Sequence, residues 1–169
     1  ISRVYPSKVS KKQDMIWRET AKRMMKFLTD MSHPDGEVSF FNDSSIGIAA
    51  TLEELTSYGK RISVEINKKI VNCNQLNIQH YPDTGYIRME GPFAVTLLDT
   101  APIGPDYLPG HAHSDTLSFE LSLFNRRIIV NGGTSEYGNG NLRLEERSTQ
   151  SHNTVEVDQE NSSEVWSSF

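Results

Sequence analysis

The chain has 169 residues, enough for one domain of ordinary size or for pieces of two. Lys and Arg number 17 against 22 Asp and Glu, a net charge of −5. That balance argues against a nucleic-acid ligand, because a phosphate backbone selects clustered cations. No stretch approaches the roughly 18 consecutive apolar residues of a membrane span. The one cysteine, Cys73, excludes an internal disulfide and a thiolate metal cage. The chain starts at Ile1 without Met and stops at Phe169 within an alternating run, so it reads as an internal piece of a longer polypeptide.

Helical periodicity comes first. Over residues 13–31, Ile16, Met24, Phe27, Leu28 and Met31 recur at spacings of three and four between charged residues. Asp14 is placed to cap this helix, and Ser32, His33, Pro34, Asp35 and Gly36 stop it with turn chemistry. A second helix is predicted over residues 44–58, with Ile46, Ile48, Ala49, Leu52 and Leu55 on one face. Asp43 or Ser44 would cap it and Gly59 would close it. Both stripes predict helix–helix packing.

Beyond a connector at about residues 60–80, the apolar period becomes two and β-branched and aromatic residues become common. Strands are predicted over residues 85–90, 94–100, 116–124, 127–130 and 153–157, with Asn125 and Arg126 forming a hairpin turn. In the run 116–124, Leu117, Phe119, Leu121 and Leu123 share one face. Ser118, Glu120 and Ser122 share the other, and Glu120 is placed toward solvent or a neighbouring strand. The fold class is α+β.

The densest chemical cluster is Gly110, His111, Ala112, His113, Ser114 and Asp115, just before the strongest predicted strand. In extended backbone His111, His113 and Asp115 point to one face and keep the parity of Leu117 and Phe119. One strand face would then run from imidazoles at its mouth to hydrocarbon in its core. A His-x-His pair suits a metal, an acid–base or charge-neutralising role, or two structural histidines. A metallo-β-lactamase-type HxHxDH fails at Thr116, and a cupin pattern would need its Glu before Glu120.

Several ordered motifs carry a more specific likeness. Gly110 to Asp115, then Leu117 to Leu121, then Ile128 to Thr134, then Arg147 to Val155 resemble the heparinase II/III-like family. Its pattern reads roughly GHxHxDxLSFEL, a strand ending in VDPGT, and RSTxxHNTV. Upstream, His33 to Gly36 and Asn42 to Ser44 are similar to the closing helices of its helical domain, so the likeness spans about residues 20–169.

The resemblance implies the last helices of an α/α-toroid in residues 1–62, followed by the start of an antiparallel β-sandwich in residues 63–169. It implies a polysaccharide lyase, with acidic, uronic acid-containing polysaccharide as partner in a cleft shared with the rest of the same polypeptide. In such β-elimination a base removes the C5 proton, an acid protonates the leaving oxygen at C4, and the carboxylate charge must be neutralised. Residue by residue, His111 matches the sandwich-side catalytic histidine. His113, Asn131 and His152 match the ligands of one divalent ion, zinc or calcium. Asn131 stands where the pattern has Asp, and a neutral amide binds a dication more weakly than a carboxylate. The family's Tyr base and its Asn or His helper lie on the toroid, with no matching motif here.

For substrate binding, Tyr107 is placed to stack on a sugar ring, with Tyr86 and Tyr137 as further candidates. Arg147 is placed to meet a substrate carboxylate, with an ion pair to Glu145 or Glu146 as its competing role. The alternative to a lyase is a non-catalytic carbohydrate-binding or surface-polysaccharide biosynthesis protein on the same scaffold. A Tyr and an Asn or His facing His111 from the helical side discriminates the two.

Overall fold

The computed structural model describes residues 6–64, 75–104, 107 and 109–166; Cys73 lies outside them. Two helices lead, α1 (Lys11–Asp30) and α2 (Leu52–Arg61), and a five-stranded sheet follows. Its strands are β1 (Asn77–Tyr81), β2 (Tyr86–Glu90), β3 (Ala94–Asp99), β4 (Phe119–Leu123) and β5 (Arg126–Ile129). They run antiparallel in sequential order, so every connection on the sheet is a hairpin or a longer excursion between neighbours. A short helix, α3 (Asn141–Arg147), closes the series.

Several boundaries differ from the sequence reading, each for a local reason. Ser10, not Asp14, caps α1, accepting from the Gln13 amide. Residues 44–50 are not helical: Gly47 takes φ +80°, and Thr51 with Glu54 forms a capping box that starts α2 later. Gly59 lies inside α2 rather than at its end. A Cβ there would sit 2.7 Å from the Val64 carbonyl, onto which the chain turns back.

β1 falls in what was read as connector. The hairpin before β5 turns at Phe124 and Asn125, with φ of 50° and 63°, one residue earlier than predicted. Residues 153–157 form no strand; only Val157 bridges, to Glu160, around a turn at Asp158 and Gln159.

The helical stripes are spent only in part. Phe27 and Met31, at the end of α1, pack with Phe41, Tyr86 and Leu97 in a small apolar core. α1 and α2 lie against each other, with Arg18 Nη1 donating to the Ile62 carbonyl at 2.7 Å, but Ile16 and Met24 stay 46% and 67% exposed. Ile46 and Ile48 are exposed as well.

The interior is instead largely polar: among the described residues six apolar side chains are buried against seventeen polar or charged ones. Hydrogen bonding therefore decides the internal geometry, because each buried polar group needs a partner.

Glu120, expected to face solvent or a neighbouring strand, is the first centre of that network and is fully buried. One of its carboxylate oxygens accepts from the backbone N–H groups of Phe40 (3.1 Å) and Asn131 (2.9 Å). The other faces His33 Nε2 at 2.8 Å, and His33 Nδ1 meets the Ser122 hydroxyl at 2.7 Å. β4 thus turns its polar side inward, onto the loop after α1, and leaves Phe119, Leu121 and Leu123 half-buried on the other side. Glu120→Ala should cost about 3–5 kcal/mol, since it strands a buried imidazole and two amides. Chemical denaturation of the full chain, beside the wild type, measures that loss.

Candidate functional site

The predicted strand from His111 into β4 is broken before Phe119. Leu117 takes φ +64°, and residues 110–118 form an irregular loop, so strand parity does not govern the histidines. Side-chain and backbone bonds hold this loop instead. Arg147, buried on α3, donates from Nε and Nη2 to the Ala112 carbonyl at 2.9 and 2.8 Å. The Ser114 amide donates to the Arg147 carbonyl, and the Thr149 hydroxyl donates to the Ser114 carbonyl. The His113 amide donates to Asn42 Oδ1 (3.3 Å), from the loop after α1. The loop emerges with His111 outward, its side chain 70% exposed, and His113 fully buried.

Asp43 joins the two histidines. Its Oδ2 lies 2.8 Å from His111 Nδ1, and its Oδ1 lies 2.8 Å from His113 Nε2. Arg143, fully buried on α3, forks onto the same carboxylate, Nη1 to Oδ1 at 2.6 Å and Nη2 to Oδ2 at 3.0 Å. Its Nη1 also donates to the Thr134 hydroxyl at 2.7 Å. Arg143 and Arg147 are four residues apart, so α3 presents both from one face.

Burial works against ionisation of Asp43, but the hydrogen bonds from Arg143, His113 and His111 outweigh it and hold the carboxyl below its usual range. Gly133 lets the 131–134 loop close over this point. It takes φ +64°, a Cβ there would stand 2.2 Å from the Ser44 carbonyl, and the Thr134 amide donates to that same carbonyl.

Behind His113 lies His152, its Nε2 3.2 Å from His113 Nδ1. Burial lowers the pKa of both; for His152, burial and the neighbouring His113 push it down to about 4. Both rings are therefore neutral near pH 7. Tyr137 flanks the outward side, edge-on to His111 at 6.3 Å between ring centroids and with the Arg143 guanidinium over its face at 5.1 Å.

Beneath lie two further buried carboxyls. Burial raises Asp99 to about 7 and Asp115 to about 6, and each accepts a backbone amide, from Ala101 and Asn42 respectively. Tyr86 is pushed up by burial and by those two charges, and its hydroxyl meets Asn42 Nδ2 at 3.3 Å.

The C-terminal part of the chain, residues 75–169, matches the family profile described as heparinase II/III-like, C-terminal. The chain belongs to the heparinase II/III-like family. No curated protein matches it in sequence.

Among solved structures it is similar to a heparinase III, at 19% identity and a TM-score of 0.61, over 92% of this chain and 28% of that one. It is also similar to the heparan sulfate lyase HepC of Pedobacter heparinus, at 20% identity and a TM-score of 0.62, over 85% of this chain and 24% of that one. The chain thus spans about a quarter of the length of these structures, and the shared fold is that of the last toroid helices followed by the first part of the β-sandwich.

Against this frame, His111 and His113 lie together on one carboxylate, and His152 stands behind them. Tyr107 is 88% exposed, while Tyr137, ranked behind it from sequence, is the tyrosine beside His111. Tyr86 is hydrogen-bonded among buried groups rather than offered to a sugar. Arg147 makes its described bonds to the backbone of Ala112 and Trp166, and neither is to Glu145 or Glu146. Asp43, Arg143 and Asn42 were not legible as site residues. Asp43 had been read as a helix cap, and nothing in the spacing links it to residues 68, 70 and 100 positions away.

The donors His113, Asn131 and His152 do not fit a divalent ion as they are arranged. The third donor is a neutral amide whose Oδ1 already accepts from Asn153 N (3.1 Å) and Nδ2 (3.2 Å). Arg143 Nη1 lies 3.5 Å from His113 Nε2, and the charges of Arg143 and Arg147 both bear on His113. The charges of these two guanidiniums oppose a dication beside His113. Among the described residues no three His, Cys, Asp or Glu side chains group as a metal site.

Two outcomes follow. Elemental analysis of the purified full chain should find substoichiometric zinc and calcium, and Asn131→Asp should raise zinc occupancy. Asp99 holds its proton to higher pH folded than unfolded, so its own contribution to stability is full below the ordinary carboxylate range and is lost as pH rises from about 4 through about 7. His152, lowered to about 4, contributes a slope of the opposite sign. Thermal melts from pH 4 to 8 measure the balance, from which Asp99→Asn should remove the falling part.

Proposed function

We propose that the protein to which this chain belongs is a polysaccharide lyase that cleaves an acidic, uronic acid-containing polysaccharide by β-elimination, with His111 acting from the sandwich side. The observation that carries this reading is the state of His111: an exposed imidazole whose Nδ1 is braced on a buried carboxylate. A structural histidine is buried and satisfied on both nitrogens, as His33 is. An imidazole braced on a buried carboxylate and exposed over most of its ring is built to meet something outside the fold.

Membership of the heparinase II/III-like family and the likeness to a heparan sulfate lyase support the same reading. In β-elimination the imidazole would neutralise the uronate carboxylate or carry a proton to or from the reacting carbons. The base on the opposite side would come from the toroid. Tyr137, exposed beside His111, is the aromatic best placed to flank a sugar ring, and Tyr107 would extend that surface.

The exposed apolar residues Met15, Ile16, Trp17 and Met24 of α1, and Phe93, Phe124, Ile128 and Val130 of the sheet, are read as seats for the rest of the polypeptide. No helix among the described residues is long and apolar enough to cross a membrane. The overall charge of −5 repels a polyanion at long range, so binding rests on local cations and should weaken as salt is added.

The test is a screen of the full-length protein against heparan sulfate, chondroitin sulfate, hyaluronan and alginate, following the ultraviolet absorbance of the unsaturated product. Activity on at least one is expected. His111→Ala should then lower kcat by about 10²–10⁴-fold, the usual share of a proton-transferring group, with the melting temperature nearly unchanged. Silence of the wild type on all four polymers would overturn the reading.

A further inference from the structure

We propose that Asp43, carried on the loop after α1, is the positioning residue that sets the tautomers of His111 and His113 and so makes Nε2 the working nitrogen of His111. The activity arm of this proposal rests on the lyase reading; the tautomer arm does not.

The argument begins with what a carboxylate can do. Ionised Asp43 only accepts hydrogen bonds, so any ring nitrogen 2.8 Å from one of its oxygens must carry the hydrogen. For His111 that nitrogen is Nδ1, which leaves the lone pair of the neutral ring on Nε2. For His113 it is Nε2, which leaves the lone pair on Nδ1. His152 Nε2 lies 3.2 Å from that lone pair and donates to it when its own hydrogen sits on Nε2. One carboxylate thereby imposes opposite tautomers on two histidines two residues apart.

The carboxylate is itself held too firmly to choose otherwise. Arg143 takes both oxygens with both arms of its guanidinium, which fixes the plane of the carboxylate as well as its place. Thr134 braces the guanidinium in turn, and the Asp43 side chain is only 7% exposed. Each oxygen therefore serves one imidazole and one arm of Arg143. A ring rotated to present its other nitrogen to Asp43 would set a lone pair against a negative charge.

The consequence for the reaction is directional. In the neutral ring the lone pair of His111 is at Nε2, and a charge developing on the ring is compensated through Nδ1 by Asp43. The orienting group belongs to the helical part of the sequence and the oriented group to the sheet part, so the histidine is set only when the two are docked.

Asp43→Asn in the full-length protein is the test. The amide keeps the size of the side chain but accepts through one oxygen, so its NH₂ must face either an imidazole or Arg143. On the substrate found for the wild type, kcat should fall by about 10²-fold or more with KM within about 3-fold. With ¹⁵N-histidine labelling, at a pH high enough that the ring is neutral, wild-type His111 should show a protonated Nδ1 and a bare Nε2, and the variant should show mixed tautomers at His111.

Loss of melting temperature with His111's tautomer and kcat both unchanged would mean a structural role only and overturn the proposal. So would a wild-type spectrum with the proton on Nε2 of His111. If the wild type turns over no polysaccharide, the lyase reading fails and the ¹⁵N spectra alone decide the assignment. If Asp43→Asn does not fold, the wild-type spectrum still decides it.

Discussion

The site depends on one buried carboxylate and the bonds it accepts. Asp43 is reached by an exposed imidazole, a buried imidazole and both arms of a buried guanidinium, and each donor comes from a different stretch of chain than Asp43 itself. A buried charge is costly unless paired and fully hydrogen-bonded. That cost works here as a geometric constraint. The loop after α1, the loop before β4 and α3 must all be in place before the charge is satisfied, so the same interaction that orients His111 also holds three segments together.

A second carboxylate repeats the device below the first. Glu120 gathers His33 and the backbone of Phe40 and Asn131, and so binds the stretch between His33 and Asp43 to β4. Between the two centres, Asn42 takes φ 53° and uses its amide, its side-chain oxygen and its side-chain nitrogen on Asp115, His113 and Tyr86. The residue beside Asp43 is thus itself held from three directions. With so small an apolar core among the described residues, specificity of packing comes from these directional bonds rather than from the fit of hydrocarbon.

The apolar surface left over has a consistent layout. It lies on α1 away from Phe27, and on the side of the sheet opposite Glu120 and Ser122. The polar groups that would usually face water are turned inward to meet the helical segment. The alternation of β4 is therefore real but inverted relative to the simple rule that apolar residues face the interior. In a two-sheet architecture both faces of a strand can be covered, one by a helical neighbour and one by a facing sheet. The polar face then goes to whichever neighbour brings hydrogen-bonding partners.

Much of this protein was legible in the sequence because it depends on local periodicity or on ordered motifs. Phe27, Leu28 and Met31 mark the helical period of α1. The β-branched and apolar run from Ala94 to Leu98 marks β3, the alternation of Phe119 to Leu123 marks β4, and the two histidines at 111 and 113 mark the place of the site. The capping box at Thr51, the left-handed Leu117 and the helix α3 were missed, since each is a local choice that the apolar pattern does not report.

What only the tertiary structure decided is the identity of partners across long separations. From the sequence Asp43 reads as a helix cap and Glu120 as an acid facing solvent or a neighbouring strand, and no motif or spacing singles out Arg143. Their roles come from burial beside groups 68 to 100 residues away along the chain. The physical reason is that a charged side chain carries the same letter in water and in a hydrogen-bonded interior, and only the folded surroundings turn it into a hub.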